Sequence, residues 1–310
     1  MINTKRAVAL GYFDGLHTGH AEVLGKALGA ADCGLVPAVM LFDVPPAEAV
    51  TGIKTERLLS DNERDSVLKR SGLELLYVSF KELRDMSPRE FVEDVLCRRF
   101  NAGEVFCGFN YSFGKNGEGN VESLKTECAG FGINVNVSGC VTVDGETVSS
   151  STIRKLISDG DIERANVMLG YSFGFTSPVF SGDHRGRLLG APTINQYLPD
   201  GLVTPKFGVY AAVADINGTL YSGVTNIGKR PTFDGVSLRS ETFILGFNGD
   251  LYGKNVTVRL VSFIRGEMKF PSADALKEQI VRDERAAAMR TEKYRGKVCG
   301  AKIKKIKKKC

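Results

Sequence analysis

Two histidines three residues apart, His17 and His20, stand in Gly11-Tyr12-Phe13-Asp14-Gly15-Leu16-His17-Thr18-Gly19-His20, and the chain has only three histidines in all. Two imidazoles beside one helix start suit a triphosphate whose charge grows as pyrophosphate leaves. Gly11 and Gly15 permit positive φ or close backbone approach. Gly19 keeps the first helical turn bare, so a phosphate can reach backbone N–H groups and the positive helix end. The apolar run Ala7–Leu10 ahead of the motif reads as a strand, and Val23, Leu24, Ala27 and Leu28 after it recur at helical spacing. The unit is therefore strand, glycine-rich turn, helix. It is not the Gly-x-x-x-x-Gly-Lys-Ser/Thr phosphate loop, which is absent here.

Four further stretches carry chemistry. Gly108-Phe109-Asn110-Tyr111-Ser112-Phe113-Gly114 suits a loop covering a nucleotide or a planar ligand. Val148-Ser149-Ser150-Ser151-Thr152-Ile153-Arg154 offers several hydroxyls at a helix start and a fixed cation, a good phosphate holder. The stretch Gly182 to Asn195 sets Gly182, Gly186 and Gly190 four apart among Arg185 and Arg187, which suits a loop folded over phosphates. Thr193 and Asn195 at its end alternate along an extended segment and face one side. Hard oxygen ligands of that kind suit Mg²⁺, which keeps its waters and shares substrate phosphates. Finally, Glu241 lies among strand residues, where a carboxylate near a metal-bound phosphate could take a proton from an attacking hydroxyl.

The elements that must position these residues change character along the chain. Strands are expected at 7–10, 35–42, 75–80, 104–108 and 133–137, alternating with helices. Ser60-Asp61-Asn62-Glu63 reads as a capping box opening a helix through about Arg70, and Ser87-Pro88-Arg89-Glu90 as a stronger helix start. Such alternation implies a parallel sheet wrapped by helices, with ligands at the carboxyl ends of its strands. From Phe180 to Phe263 the chain turns to β-branched and aromatic residues. Asn217-Gly218 signals a tight hairpin there, and Phe247-Asn248-Gly249-Asp250 repeats the signal. A small antiparallel barrel follows from this pattern. Ser272 to Leu276 opens a last helix, with Leu276, Ile280 and Met289 on its apolar face.

Composition sets outer bounds. The chain's 310 residues suffice for two domains, and 43% apolar with 25% charged is ordinary globular usage. No apolar run approaches the ~20 residues that span a bilayer, and the N-terminus lacks the apolar segment of a signal peptide. Seven scattered cysteines with no Cys-x-x-Cys argue against a disulfide framework or a zinc site, and for a reducing cytoplasm. The net charge of +5 resides in the tail: residues 291–310 hold nine Lys/Arg and one Glu, so the other 290 carry −3. The expected state of that tail is a frayed, solvated terminus whose deletion leaves turnover intact.

Taken singly, His-x-Gly-His after a strand resembles the signature of the HxGH nucleotidyltransferase superfamily. Taken together, four motifs in order resemble the prokaryotic bifunctional riboflavin kinase / FAD synthetases over about residues 5–290. They are Gly-x-Phe-Asp-Gly-x-His-x-Gly-His, Gly-Phe-Asn-x-x-Phe-Gly, Ser-Ser-x-x-Ile-Arg and Arg-Gly-x-x-Leu-Gly-x-Pro-Thr-x-Asn. Asn226 to Phe233 and Phe263 to Phe270 look like further signatures of that family.

The resemblance implies a Rossmann-like FMN adenylyltransferase domain (1–168), a riboflavin kinase β-barrel with a C-terminal helix (169–290) and a basic tail (291–310). It implies phosphorylation of riboflavin by MgATP to FMN, then adenylylation of FMN by a second ATP to FAD. By the same resemblance His17, His20 and Arg154 are catalytic in the first domain. ATP is bound there by Gly11, Phe13, Asp14, Gly15, Gly19, Ser150 and Ser151, and FMN by Asn110 and Phe113. In the kinase, Glu241 is the base, and Gly182, Arg185, Gly186, Gly190 and Pro192 bind ATP. Thr193 and Asn195 hold the metal with ATP, and Arg230, Arg265 and Glu267 bind the flavin. No specific nucleic acid and no membrane span are implied, and self-association is expected to be weak.

The sequence departs from the family in two places. Phe42-Asp43-Val44-Pro45-Pro46 stands where the family commonly has Phe-Asp-Pro-His-Pro, so a third histidine is missing, and Phe243 replaces a common His near Glu241. A kinase-only enzyme is therefore one competing expectation. A nucleic-acid-binding module, using barrel and tail, is a remote second, because the body is net acidic.

Overall fold

The computed structural model describes residues 4–181, 193–232, 235–294 and 300–308. The described residues divide into two compact units, one drawn from 1–55, 61–150 and 302–310, the other from 56–60 and 151–301.

The first unit is built on five parallel strands: β1 (Arg6–Ala9), β2 (Val36–Phe42), β3 (Glu74–Val78), β4 (Ala102–Gly108) and β5 (Asn134–Ser138), in the order β3-β2-β1-β4-β5. Their runs are apolar because both faces are covered: Ala7, Val8 and Ala9 are fully buried, as are Ala38 to Leu41. Helix α1 (Thr18–Gly29) contributes Leu24 and Ala27 to this core. Short helices α2 (Pro46–Thr51), α3 (Asp61–Arg70) and α4 (Phe80–Leu83) follow.

Helix α5 (Pro88–Glu90) runs on into a π-wound stretch, Phe91–Arg99, that buries Phe91, Val92, Val95 and Leu96. Its expected capping box is present: the Glu90 N–H donates to Ser87 Oγ at 3.3 Å, and the Ser87 N–H to Glu90 Oε2 at 2.7 Å. Helix α6 (Val121–Ala129) precedes β5, and a two-residue hairpin, β6 (Thr142–Val143) and β7 (Glu146–Thr147), leads to α7 (Ser150–Asp159).

In the second unit, α8 (Ile162–Leu169) precedes six antiparallel strands: β8 (Gly174–Pro178), β9 (Thr193–Tyr197), β10 (Gly208–Ile216), β11 (Thr219–Thr232), β12 (Gly235–Ile244) and β13 (Asn255–Arg265). Their order is β8-β13-β10-β11-β12-β9, and the Phe180 N–H donates to the Asn195 carbonyl at 2.9 Å, drawing the two edges toward closure. Helix α9 (Ala273–Thr291) packs on the barrel through Ala287.

Some expectations need correcting. Asn217-Gly218 does make the β10–β11 hairpin, with positive φ at both residues. The Phe247–Asp250 stretch does not make a second, because β12 and β13 are not neighbours in the sheet and their link is a crossover. Met289 is 78% exposed, off the buried face of α9. Helix α8 packs with the barrel, where the Asn166 side chain donates to the Leu260 carbonyl at 2.9 Å and accepts the Phe173 N–H at 2.7 Å.

Cys33 is disulfide-bonded, which the scattered cysteine spacing did not anticipate. Cys97, Cys107, Cys128 and Cys140 are free, and burial pushes the Cys107 thiol up to about 11. The tail is not frayed through residues 302–308. It lies on α1, where the Ile306 N–H donates to the Gly25 carbonyl at 2.9 Å. No helix among the described residues is long and apolar enough to cross a membrane.

Candidate active sites

The turn after β1 is strained. Phe13 and Leu16 adopt φ of 58° and 44°, in the region L-residues avoid, and Gly15 takes 74°. Side chains hold such backbone only where packing over-determines it. Here Phe13 is buried, meets His20 edge-on at 5.3 Å, and presses on Gly11, where an added Cβ would stand 3.1 Å from its ring. The turn delivers His17 as the cap of α1: its Nδ1 accepts the His20 N–H at 3.3 Å. An accepting Nδ1 leaves Nε2–H as the donor of the neutral ring. Gly19 keeps room for that ring, since a Cβ there would come within 3.3 Å of it.

His20 stacks on His17 with centroids 3.6 Å apart. Burial first, and His17 second, hold the His20 pKa well below 6.5, against a hydrogen bond that the ring donates to the Asp14 backbone, which raises it. Its Nδ1 is buried with no hydrogen-bond partner. His20 is thus a neutral ring at neutral pH, suited to contacting oxyanions rather than to proton transfer.

The histidines open on a cavity of about 540 Å³. His17, Gly19, His20, Ser149 and Ser150 line it, as do Phe42, Phe80, Phe91, Phe109 and Tyr111. The hydroxyl of Ser150 donates to the Asp14 carbonyl at 3.3 Å, fixing the start of α7 against the turn. Ser151 and Arg154 lie on the same helix, with Arg154 one turn beyond Ser150.

Asn110 and Phe113 both line the cavity, but differently. Asn110 is exposed. Phe113 is 8% exposed, packs on Phe91 at 5.2 Å, and exchanges two backbone hydrogen bonds with Gly119, so it mainly holds the loop down. Phe42, Phe80 and Phe109 were missed in the sequence. Phe109 was visible within Gly-Phe-Asn, whereas Phe80 reaches the cavity only through folding: its N–H donates to Asp43 Oδ1 at 3.1 Å and its ring meets Phe42. The family's missing histidine falls at Val44-Pro45. The histidine position itself is Pro45, which is buried, and the adjacent Pro46 lines the cavity.

In the barrel, register assembles the second site. Asn195 on β9 pairs with Glu241 on β12, Thr193 with Phe243, and Glu241 also with Asn226 on β11. Alternation puts Thr193, Asn195 and Glu241 on one face. The intervening Gln196, Ser240 and Thr242 are fully buried on the other. Glu267 approaches this region as well, its Oε1 2.7 Å from where a Gly228 Cβ would be.

Arg265, expected at the flavin, is otherwise engaged. Its guanidinium grips Asp283 of α9 at 2.8–3.2 Å, donates to the Gly266 carbonyl, and lies over Phe270. The side chain of Arg230, and Gly182, Arg185, Gly186, Gly190 and Pro192, lie outside the described residues.

Comparison with known proteins agrees with this two-site arrangement. Residues 1–152 match the FAD synthetase family and residues 169–290 the riboflavin kinase family. The bifunctional riboflavin kinase/FMN adenylyltransferase of Bacillus subtilis is 35% identical, over 91% of this chain and 92% of its own length. The chain belongs to this bifunctional family. Its Escherichia coli K12 relative of the same name is 32% identical, over 90% and 91% of the two chains. A crystal structure from Streptococcus pneumoniae, described as a macrolide-efflux protein, superposes with a TM-score of 0.83 at 33% identity, covering 93% of this chain and 95% of that one. FAD synthesis in two steps, riboflavin to FMN and FMN to FAD, is the activity of this chain.

Proposed function

We propose that the two reactions are divided between the two units, with the following roles. In the first unit, backbone N–H groups at the start of α1, with His17, His20 and Ser150, hold the triphosphate of ATP. The aromatic lining of the cavity takes the flavin ring, with Asn110 beside it. The phosphate of FMN is already a nucleophile, so it attacks the α-phosphorus with no general base, and catalysis rests on positioning and on charge stabilisation as pyrophosphate leaves. The stacked pair suits that role, because His20 is held neutral and meets the growing charge without first losing a proton.

In the barrel, Glu241 takes the proton of the ribityl hydroxyl as that oxygen attacks the γ-phosphorus of ATP. The fit of a metal follows from the donor set. Thr193 and Asn195 offer neutral hard oxygens on the face that carries Glu241, and no cluster of three or more His, Cys, Asp or Glu able to hold a metal occurs among the described residues. That suits Mg²⁺ arriving with the nucleotide rather than a resident ion. When bound, Mg²⁺ would neutralise phosphate charge. ATP as the common substrate favours the cytoplasm.

The single observation that supports this division most is the cavity lined by both the stacked histidines and a set of aromatic rings. Val44-Pro45 in place of a histidine favours one second reading, a chain whose first unit transfers adenylyl poorly. Chromatography of products from riboflavin and MgATP tests both. FMN followed by FAD is expected. FMN alone would establish the second reading, and neither product would overturn the assignment.

A further inference from the structure

Helix α1 carries the catalytic histidines at its start and, at its other end, two glycines four residues apart, Gly25 and Gly29. Their common face is occupied by the C-terminal segment of the same chain. A Cβ on Gly29 would stand 1.9 Å from the Ile306 carbonyl oxygen, and one on Gly25 2.6 Å from that of Lys304. Only a helix without side chains at both positions admits backbone this close. The contact is pinned at three further points. Ile306 donates its N–H to the Gly25 carbonyl, Lys305 pairs with Asp32 at 2.5 Å, and Lys308 pairs with Glu104 while lying over the Phe106 ring. Glu104 and Phe106 belong to β4, so the segment ties α1 to the sheet beneath it.

We propose that residues 302–308 are a strap that fixes α1, and through it His17 and His20, for adenylyl transfer. The strained turn secures one end of the helix, and the strap the other. An α-helix moves as a rigid body, so a shift at Gly29 is felt at His20, and displacements of about 1 Å at reacting groups cost on the order of a hundredfold in rate. The proposal rests on the reading that the histidines serve FMN adenylylation.

Two variants of the full chain test it in reducing buffer: one ending at Ala301, and Gly29→Ala. Gly29 has φ of −62°, which alanine adopts without strain, and alanine favours helix over glycine. Any loss in Gly29→Ala therefore comes through the strap rather than through α1 itself. FAD formation from FMN and MgATP is expected to lose kcat by about tenfold or more in both, with FMN formation from riboflavin held within about twofold. Trypsin is expected to cut Gly29→Ala in the tail faster than the wild type. Unchanged kcat for FAD formation in the shortened chain overturns the proposal, even if its Tm falls, because the segment is then only a stabiliser. A wild type that makes no FAD from FMN instead overturns the underlying reading of the histidines.

Discussion

His20 lies in an environment far from that of a free side chain. Its ring is buried against His17, and its pKa lies well below 6.5. The unfolded chain takes up a proton near 6.5 and the folded chain does not. Stability is therefore intact above that pH and falls as the pH drops below it toward the lowered folded value. Urea midpoints are expected to decline between pH 6.5 and 5.5, and His20→Gln to flatten that part of the decline. For catalysis, His17→Asn and His20→Asn are each expected to lower kcat for FAD formation by about 10²–10³-fold, the usual cost of a preorganised donor, while FMN formation stays intact.

Arg265 gives another kind of case, a motif residue engaged in an ion pair with Asp283. With Asp283 only 4% exposed, removing the arginine strands a buried carboxylate. Arg265→Ala is expected to cost about 3–5 kcal/mol in a denaturant melt, and a paired apolar replacement of both residues to recover much of it.

At the level of elements, strand register is what makes the kinase site. Glu241 faces Asn195 across one ladder and Asn226 across the other, so three strands place a carboxylate and two amides together. Glu241→Gln is expected to lower FMN formation by about 10²–10⁴-fold, the range for loss of a positioned general base, and to leave adenylylation of added FMN unchanged.

Alternation along Thr193-Ile194-Asn195 was legible in the sequence, and so were the strand–turn–helix unit at His17 and the capping box at Ser87. What was not legible is long-range. Asn-Gly at 217–218 makes a hairpin because its flanking strands pair, whereas Asn248-Gly249 sits between strands that pair elsewhere. The local turn chemistry of the two is alike, and only the sheet order separates them. The Arg265–Asp283 pair was hidden because the partner lies eighteen residues on, on a helix whose docking the sequence does not announce. Phe80 likewise enters the cavity because Asp43 draws its backbone in across a 37-residue separation.

At the scale of the whole molecule, the first unit is not one continuous piece of chain: it takes residues up to 150 and then residues 302–310 from the far end. That nesting has a consequence for how the protein is made. Domains fold as units from the N-terminus during synthesis, so the parallel sheet and its histidine turn can form while the barrel is still being translated. The strap follows the barrel in the sequence, so it reaches Gly25 and Gly29 only after the barrel has been translated. With the strap needed for adenylyl transfer, a chain halted before residue 302 would phosphorylate riboflavin yet stop at FMN.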